Sequence, residues 1–187
     1  RHEQPARGIY LHGPAGHGKT WLADAAVQLL PESSVVRVHV HSFLLSFGAA
    51  LFQHTIAGTP NPAESSLDAL LGTAPVIVFD EFHADDAADA RLLTLALRYI
   101  EERALTLLAT SNYAPSELMA DNPWRHTMLE GIEILERVVV PLQIDADRDH
   151  RADTIAARAG FSSGCWVVAT DAPRPPAAGI VHSAGRE

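Results

Sequence analysis

Short apolar runs alternate with stretches of helical spacing along most of the chain. Several of the runs are rich in β-branched residues and end at polar or turn-forming positions, so they predict strands over residues 8–12, 35–40, 75–79, 105–110 and 138–144. Apolar residues three and four positions apart predict helices over residues 20–30, 42–54, 63–71, 85–103 and 126–137, and one helical turn over 116–120. This alternation is typical of an α/β fold with three αβα layers and a mostly parallel sheet.

The alternating pattern fades towards the end of the chain. We predict one core domain over residues 1–151 and a partial C-terminal segment over residues 152–187, with a flexible tail around the Pro-rich stretch 172–178. The sequence does not begin with Met, so we expect it to be a piece of a longer protein.

Composition narrows the classes of function. The net charge of −9 argues against broad attraction to nucleic acid or to anionic lipid. No apolar run is long enough to predict a membrane span. The single cysteine, Cys165, excludes an internal disulfide and fits a reducing compartment, so we expect a cytoplasmic protein.

The turn after the first predicted strand carries the clearest chemical signal. Its sequence, G-P-A-G-H-G-K-T over residues 13–20, matches the P-loop pattern G-x-x-x-x-G-K-[ST] and opens a predicted helix. Chance produces such a match in on the order of 1% of chains of this length. In a P-loop, backbone N–H groups and a helix N-terminus cradle phosphate oxygens. We assign nucleotide binding to Gly13, Pro14, Ala15, Gly16, His17, Gly18, Lys19, Thr20 and Trp21.

Lys19 is the only lysine among 14 basic side chains, and the others are all arginine. A compact ammonium suits a bridge between phosphates over a tight loop, whereas a guanidinium is wide and planar. We therefore assign Lys19 to the β- and γ-phosphates and the Thr20 hydroxyl to Mg²⁺. The excess of arginine over lysine resembles a coding bias, so we expect most of the arginines to have no specific function.

Two carboxylates follow the most apolar strand. Asp80 and Glu81 come directly after residues 75–79, at the strand end where α/β folds place their ligands. Asp80 is the candidate for holding Mg²⁺, and Glu81 is the candidate general base for an attacking water. The alternative is an ordinary acidic loop start on a solvated edge.

A further polar residue follows the next strand. Asn112 is placed to point at the γ-phosphate and the water, although Asn is also common in ordinary turns. The extra strand over residues 35–40 and the glutamate directly after Asp80 indicate the hydrolytic ASCE branch of P-loop proteins, which includes the AAA+ enzymes.

Histidines offer a weaker signal. His39 and His41 alternate on the predicted second strand, but no third ligand completes a metal site, so we favour a packing role. His83 lies just after the acidic pair, and we interpret it as a loop residue without a function.

The assembled motifs resemble those of the ZapE and AFG-type ATPases over about residues 7–151. The matching segments are the first strand with Walker A (7–21), V-H-V-H-S-F (38–43), F-D-E-F (79–82), the sensor strand through Ser111 and Asn112, and D-H-R (149–151). The resemblance implies Mg²⁺-dependent ATP hydrolysis in a homo-oligomer, with an arginine supplied by the neighbouring subunit. Arg125 is the candidate for that arginine, and the family's second arginine is replaced by Thr127. The resemblance also implies remodelling of a protein partner such as the cell-division ring.

Two other functions stay open at this point. A helicase loader or transposition ATPase shares the P-loop and the sensor but needs a basic face for single-stranded DNA, which a chain of net charge −9 offers poorly. An ATP-gated binding module would bind nucleotide and a protein partner with little turnover. We expect an ATPase, and we do not expect nucleic acid as a partner.

Overall fold

The computed structural model describes residues 6–144, and five parallel strands form one sheet there. The strands are β1 (Gly8–His12), β2 (Val35–His39), β3 (Val76–Asp80), β4 (Thr106–Ser111) and β5 (Val139–Gln143). Their order in the sheet is β2-β3-β4-β1-β5, so β4 lies between β1 and β3 and the ends of these three strands lie side by side. The predicted P-loop NTPase fold with a parallel sheet is confirmed.

Within residues 6–144, five helices cover the two faces of the sheet. They are α1 (Lys19–Val27), α2 (Val40–Ile56), α3 (Pro62–Leu71), α4 (Ala87–Glu102) and α5 (Leu129–Val138), with short 3₁₀ turns at Glu32–Ser34, Pro115–Glu117 and Arg125–Thr127. Each predicted strand and helix appears, with ends that shift by three residues or fewer. Such shifts are expected because helix and strand ends are the least sharply encoded part of an element.

The two faces of the sheet are covered very unequally. Alternate residues of a strand point to opposite faces. On one face Ile77 and Phe79 of β3 join a large buried cluster that includes residues of α2, α3, α4 and α5. On the other face Val78 joins a small cluster whose other buried members are Leu11, Ala23 of α1 and Leu108. Helix α1 and the P-loop therefore rest on a thin hydrophobic layer.

Helix α4 begins at a side-chain cap. The Asp86 carboxylate accepts hydrogen bonds from the backbone N–H groups of Ala88 at 2.7 Å and Asp89 at 2.9 Å. Such a cap satisfies two of the N–H groups that a helix start leaves without a partner. The cap also fixes the position at which the loop after β3 ends, so the loop between Asp80 and Asp86 is anchored at both ends.

The pair His39 and His41 corrects one prediction. Strand β2 ends at His39 and α2 begins at Val40, so the two histidines do not alternate on one strand. Helix α2 buries Val40, Phe43, Leu44 and Phe47, and this helical spacing outweighs the short V-H-V-H alternation. Within residues 6–144 no three His, Cys, Asp or Glu side chains are grouped so that they would hold a metal ion.

Several sequence predictions fall outside residues 6–144. They are the domain boundary near residue 151, the C-terminal segment with Cys165, and the D-H-R motif at 149–151. Over the part of the chain that is described, no helix has the length and apolar character needed to cross a membrane.

Candidate functional site

The P-loop connects β1 to α1 through left-handed glycines. Gly16 has φ +87 and Gly18 has φ +82, a conformation that side chains strongly disfavour. A Cβ on Gly13 would lie 2.5 Å from the backbone oxygen of Ile144, so no larger residue fits there. Gly18 is the N-cap of α1, which has no side-chain cap and no acidic residue in its first turn. The start of α1 therefore carries backbone N–H groups that no side chain caps, an arrangement that suits an anion.

Lys19 lies under the loop rather than in solvent. Only 8% of the surface of Lys19 is exposed. Its Nζ donates hydrogen bonds to the backbone oxygens of Gly13 and Pro14, both at 2.7 Å. A third bond runs from Nζ to Oδ1 of Asn112 at 3.0 Å. The predicted phosphate-binding lysine and the predicted sensor residue, 93 positions apart in sequence, are thus in direct contact.

Thr110 joins the ends of β3 and β4. Its Oγ1 donates to Oδ1 of Asp80 at 3.4 Å and accepts from the backbone N–H of Glu81 at 3.2 Å. Its backbone oxygen accepts from the N–H of Phe82 at 2.7 Å. Asp80 is 5% exposed, so these contacts fix a nearly buried carboxylate. In the sequence, Thr110 stands out as a polar residue at the end of an apolar strand, and Asn112 is predicted as a site residue from the same feature.

Glu81 is exposed and has a left-handed backbone with φ +56. Non-glycine residues avoid this conformation, and where it persists it clusters at functional sites. Nδ1 of His83 donates to the backbone oxygen of Glu81 at 2.7 Å, so His83 braces the strained residue. Within residues 6–144 the Glu81 carboxylate makes no hydrogen bond or ion pair, which leaves it open to solvent and to a substrate water.

Arg37 is a site residue that the sequence analysis missed. On β2, its Nε donates to Oδ2 of Asp80 at 2.6 Å and its Nη2 donates to Oδ1 at 3.2 Å. Its Nη1 forms an ion pair with Asp24 of α1. Hydrogen bonding to Asp80 raises the pKa of Arg37 above its usual range, so the guanidinium stays charged. The available signal was a charged residue within the otherwise apolar strand V-V-R-V-H.

The remaining predicted residues lie around this centre. Thr20 and Trp21 are exposed in the first turn of α1. His17 is half-buried in the loop, and within residues 6–144 its Nδ1 has no hydrogen-bond partner. Arg125 lies in a 3₁₀ turn, where its Nη2 donates to the backbone oxygen of Ser116 at 2.6 Å. Its assignment to a neighbouring active site stays a prediction.

The donor set suits a phosphate chain with a hard cation. The N–H groups at the start of α1 and the Lys19 ammonium are donors that match phosphate oxygens. The Thr20 hydroxyl and the Asp80 carboxylate are oxygen donors of the kind that Mg²⁺ prefers. The chemistry of the site therefore fits a nucleotide, and a divalent cation beside it.

Sequence comparison gives the chain's relatives. The family model described as AFG1-like ATPase matches residues 1–170. The cell division protein ZapE of Escherichia coli is 35% identical over 151 residues, which cover 81% of this chain and 40% of ZapE. The chain thus spans about two fifths of the length of that relative.

Comparison with solved structures agrees on the fold. The DnaC helicase loader superposes with a TM-score of 0.50 at 17% identity, over 74% of this chain and 78% of that one. The replication initiator DnaA, bound to AMPPCP and single-stranded DNA, superposes with a TM-score of 0.53 at 13% identity, over 86% of this chain and 49% of that one. At these identities the likeness concerns the fold alone.

Proposed function

Because the chain belongs to the AFG1-like ATPase family, we propose that it binds Mg²⁺–ATP at the P-loop and hydrolyses the bond between the β- and γ-phosphates, releasing ADP and inorganic phosphate. One observation carries this proposal: the hydrogen bond from Lys19 Nζ to Asn112 Oδ1 at 3.0 Å. It joins the phosphate-binding loop to the end of β4, next to the end of β3, where Asp80 and Glu81 lie. Binding and hydrolytic groups thus meet at one edge of the sheet.

The binding step uses the P-loop and its lysine. The N–H groups at the start of α1 hold the phosphate oxygens, and Lys19 exchanges part of its contact with the loop carbonyls for the β- and γ-phosphates. The Thr20 hydroxyl and the Asp80 carboxylate would hold Mg²⁺. When bound, this ion neutralises charge on the phosphates and so favours attack at the γ-phosphate.

The hydrolytic step uses Glu81 and Asn112. The open carboxylate of Glu81 accepts a proton from the attacking water, and the Asn112 side chain holds that water in line with the γ-phosphate. A positioned general base contributes about 10²–10⁴-fold in rate. The left-handed backbone of Glu81 supports this role because such strained conformations cluster at functional sites.

We extend the proposal to an oligomer and a protein partner. Several P-loop NTPases gain much of their rate from an arginine that stabilises the transition-state charge, supplied in cis or by a second protein, and Arg125 is our candidate for an arginine supplied by a neighbouring subunit. Similarity to ZapE, a cell division protein, supports a cytoplasmic role in remodelling a division-machinery partner. A nucleotide-dependent change in the mass of the protein in solution would support the oligomer, and a constant monomer mass would contradict it.

Lys19→Ala tests the nucleotide site. The chain has no second lysine to replace it, and hydrogen bonds to a charged group are worth about 1.5–3 kcal/mol. We therefore expect affinity for a fluorescent ATP analogue to fall roughly tenfold to a hundredfold, with loss of phosphate release. Arg91→Ala, an exposed cation on α4, is the matched control and should change neither measurement. Equal affinity of wild type and Lys19→Ala would overturn the assignment.

A further inference from the structure

Arg37 and Asp80 form a bidentate ion pair at the carboxylate that we assign to Mg²⁺. Arg37 lies opposite Val78 in the register of β2 and β3, two residues before Asp80 along the same face. Its long side chain therefore reaches towards the carboxyl end of the sheet. There Nε and Nη2 contact one oxygen of Asp80 each, at 2.6 and 3.2 Å.

The Asp80 carboxylate already accepts most of the hydrogen bonds that its two oxygens can accept. Two oxygens offer about four lone-pair directions, and Arg37 takes two of them while the Thr110 hydroxyl takes a third at 3.4 Å. The Asp80 carboxylate is also nearly buried, with 7% of its side chain exposed, whereas 32% of the Arg37 side chain is exposed, so water screens only the Arg37 side of the pair. A divalent cation that uses Asp80 must therefore share this carboxylate with a permanent positive charge.

Asp24 gives Arg37 a second anchor. The remaining guanidinium nitrogen, Nη1, pairs with the Asp24 carboxylate on α1, whose side chain is 43% exposed. Asp24 follows Thr20 by one helical turn, so the same helix carries the predicted hydroxyl ligand and the anchor. Arg37 can move towards Asp24 without losing a carboxylate partner, and this movement frees oxygen atoms of Asp80.

We propose that Arg37 is a positioning residue that tunes cation binding, because its guanidinium and the divalent cation compete for Asp80 while Asp24 acts as the alternative partner. This inference rests on the proposed function, since it needs a nucleotide and Mg²⁺ at this site. Arg37 makes the cation bind less tightly than an unpaired Asp80 would allow. Arg37 also neutralises the charge of the nearly buried Asp80 carboxylate and fixes the orientation of its two oxygens.

The test measures how strongly Mg²⁺ strengthens nucleotide binding. The affinity for a fluorescent, non-hydrolysable ATP analogue is measured in excess Mg²⁺ and in excess EDTA, and the ratio of the two is compared between variants. Formation of the Mg²⁺–nucleotide complex in solution is the same for every variant, so differences in the ratio report the protein. A purely structural defect weakens both affinities and leaves the ratio unchanged.

Arg37→Gln and Asp24→Asn should move this ratio in opposite directions. Arg37→Gln removes a unit charge near a doubly charged ion, and repulsion over several ångströms amounts to about tenfold even with water-like screening, so the ratio should rise about tenfold. Asp24→Asn leaves Arg37 with Asp80 alone, so the ratio should fall. Arg37→Lys keeps the charge and should change the ratio much less than Arg37→Gln. Arg98→Gln breaks a comparable exposed pair with Glu130 on the other face and should leave the ratio unchanged.

Two different failures can be told apart. If wild type does not bind the analogue under either condition, the proposed function fails, and this inference fails with it. If wild type binds but Arg37→Gln lowers the ratio or leaves it unchanged, the inference alone is overturned. The inference is also overturned if Asp24→Asn raises the ratio. This second test can be made even if Arg37→Gln does not fold.

Discussion

Glu81→Gln should separate nucleotide binding from hydrolysis. The amide keeps the shape of the side chain but cannot accept a proton from water, so the predicted loss in kcat is about 10²–10⁴-fold. Binding should stay near wild type, because the phosphate contacts come from α1 and Lys19 and the cation contacts come from Thr20 and Asp80.

The structure indicates that this loss will not be confused with unfolding. The contacts that hold Glu81 in place are made by its backbone: its N–H donates to Thr110 Oγ1 at 3.2 Å and its oxygen accepts from His83 at 2.7 Å. Gln retains both of them. Because the carboxylate has no partner within residues 6–144, the substitution should change the free energy of unfolding by no more than about 0.5 kcal/mol.

The assay combines phosphate release with analogue binding. Glu102→Gln, an exposed glutamate at the end of α4, is the matched control and should behave as wild type in both. The mutant should hold ATP and keep whatever assembly ATP favours. Wild-type turnover in Glu81→Gln would show that Glu81 is not the base, and loss of binding would show that Glu81 holds the nucleotide instead.

Three further predictions concern the fold and the partners. Leu97→Ala removes a fully buried side chain of α4 from the large cluster, so urea denaturation should show a loss of about 2–5 kcal/mol in the free energy of unfolding. Asp86→Ala removes the cap of α4 and should cost about 1 kcal/mol in the same measurement, whereas Asp121→Ala, an exposed aspartate, should cost almost nothing. Single-stranded DNA should bind weakly and without sequence preference in a fluorescence anisotropy titration at physiological salt, since the net charge is −9; tight binding at moderate salt would favour the helicase-loader function.

The hydrophobic pattern predicted the order of elements because most strands contain a short apolar run and because α2, α4 and α5 bury apolar residues at helical spacing. It failed at His39 and His41, where four residues of alternation were too short to distinguish a strand end from a helix start. Strand order was not encoded locally. The insertion of β4 between β1 and β3 follows from contacts between segments far apart in sequence, for which periodicity carries no signal.

Candidate site residues could be predicted from the sequence where a motif requires particular residue types at fixed positions. Lys19 and Asp80 follow from the P-loop and from a carboxylate at a strand end. Arg37 did not follow, because the abundance of arginine suggested that individual arginines carry little information. Burial gives a better rule: the nearly buried carboxylate of Asp80 needs a partner, and here that partner is Arg37 on the neighbouring strand.

The unequal hydrophobic layers on the two faces of the sheet have a consequence for local stability. Segments with few buried contacts open at a lower free energy than the core does, and α1 belongs to a cluster with only four buried members within residues 6–144. Amide hydrogens of α1 should therefore exchange with solvent sooner than those of α4. Ligand binding stabilises a folded segment by mass action. A nucleotide held by the start of α1 would thus protect the part of the protein that opens most readily, and slowed exchange there would report its binding.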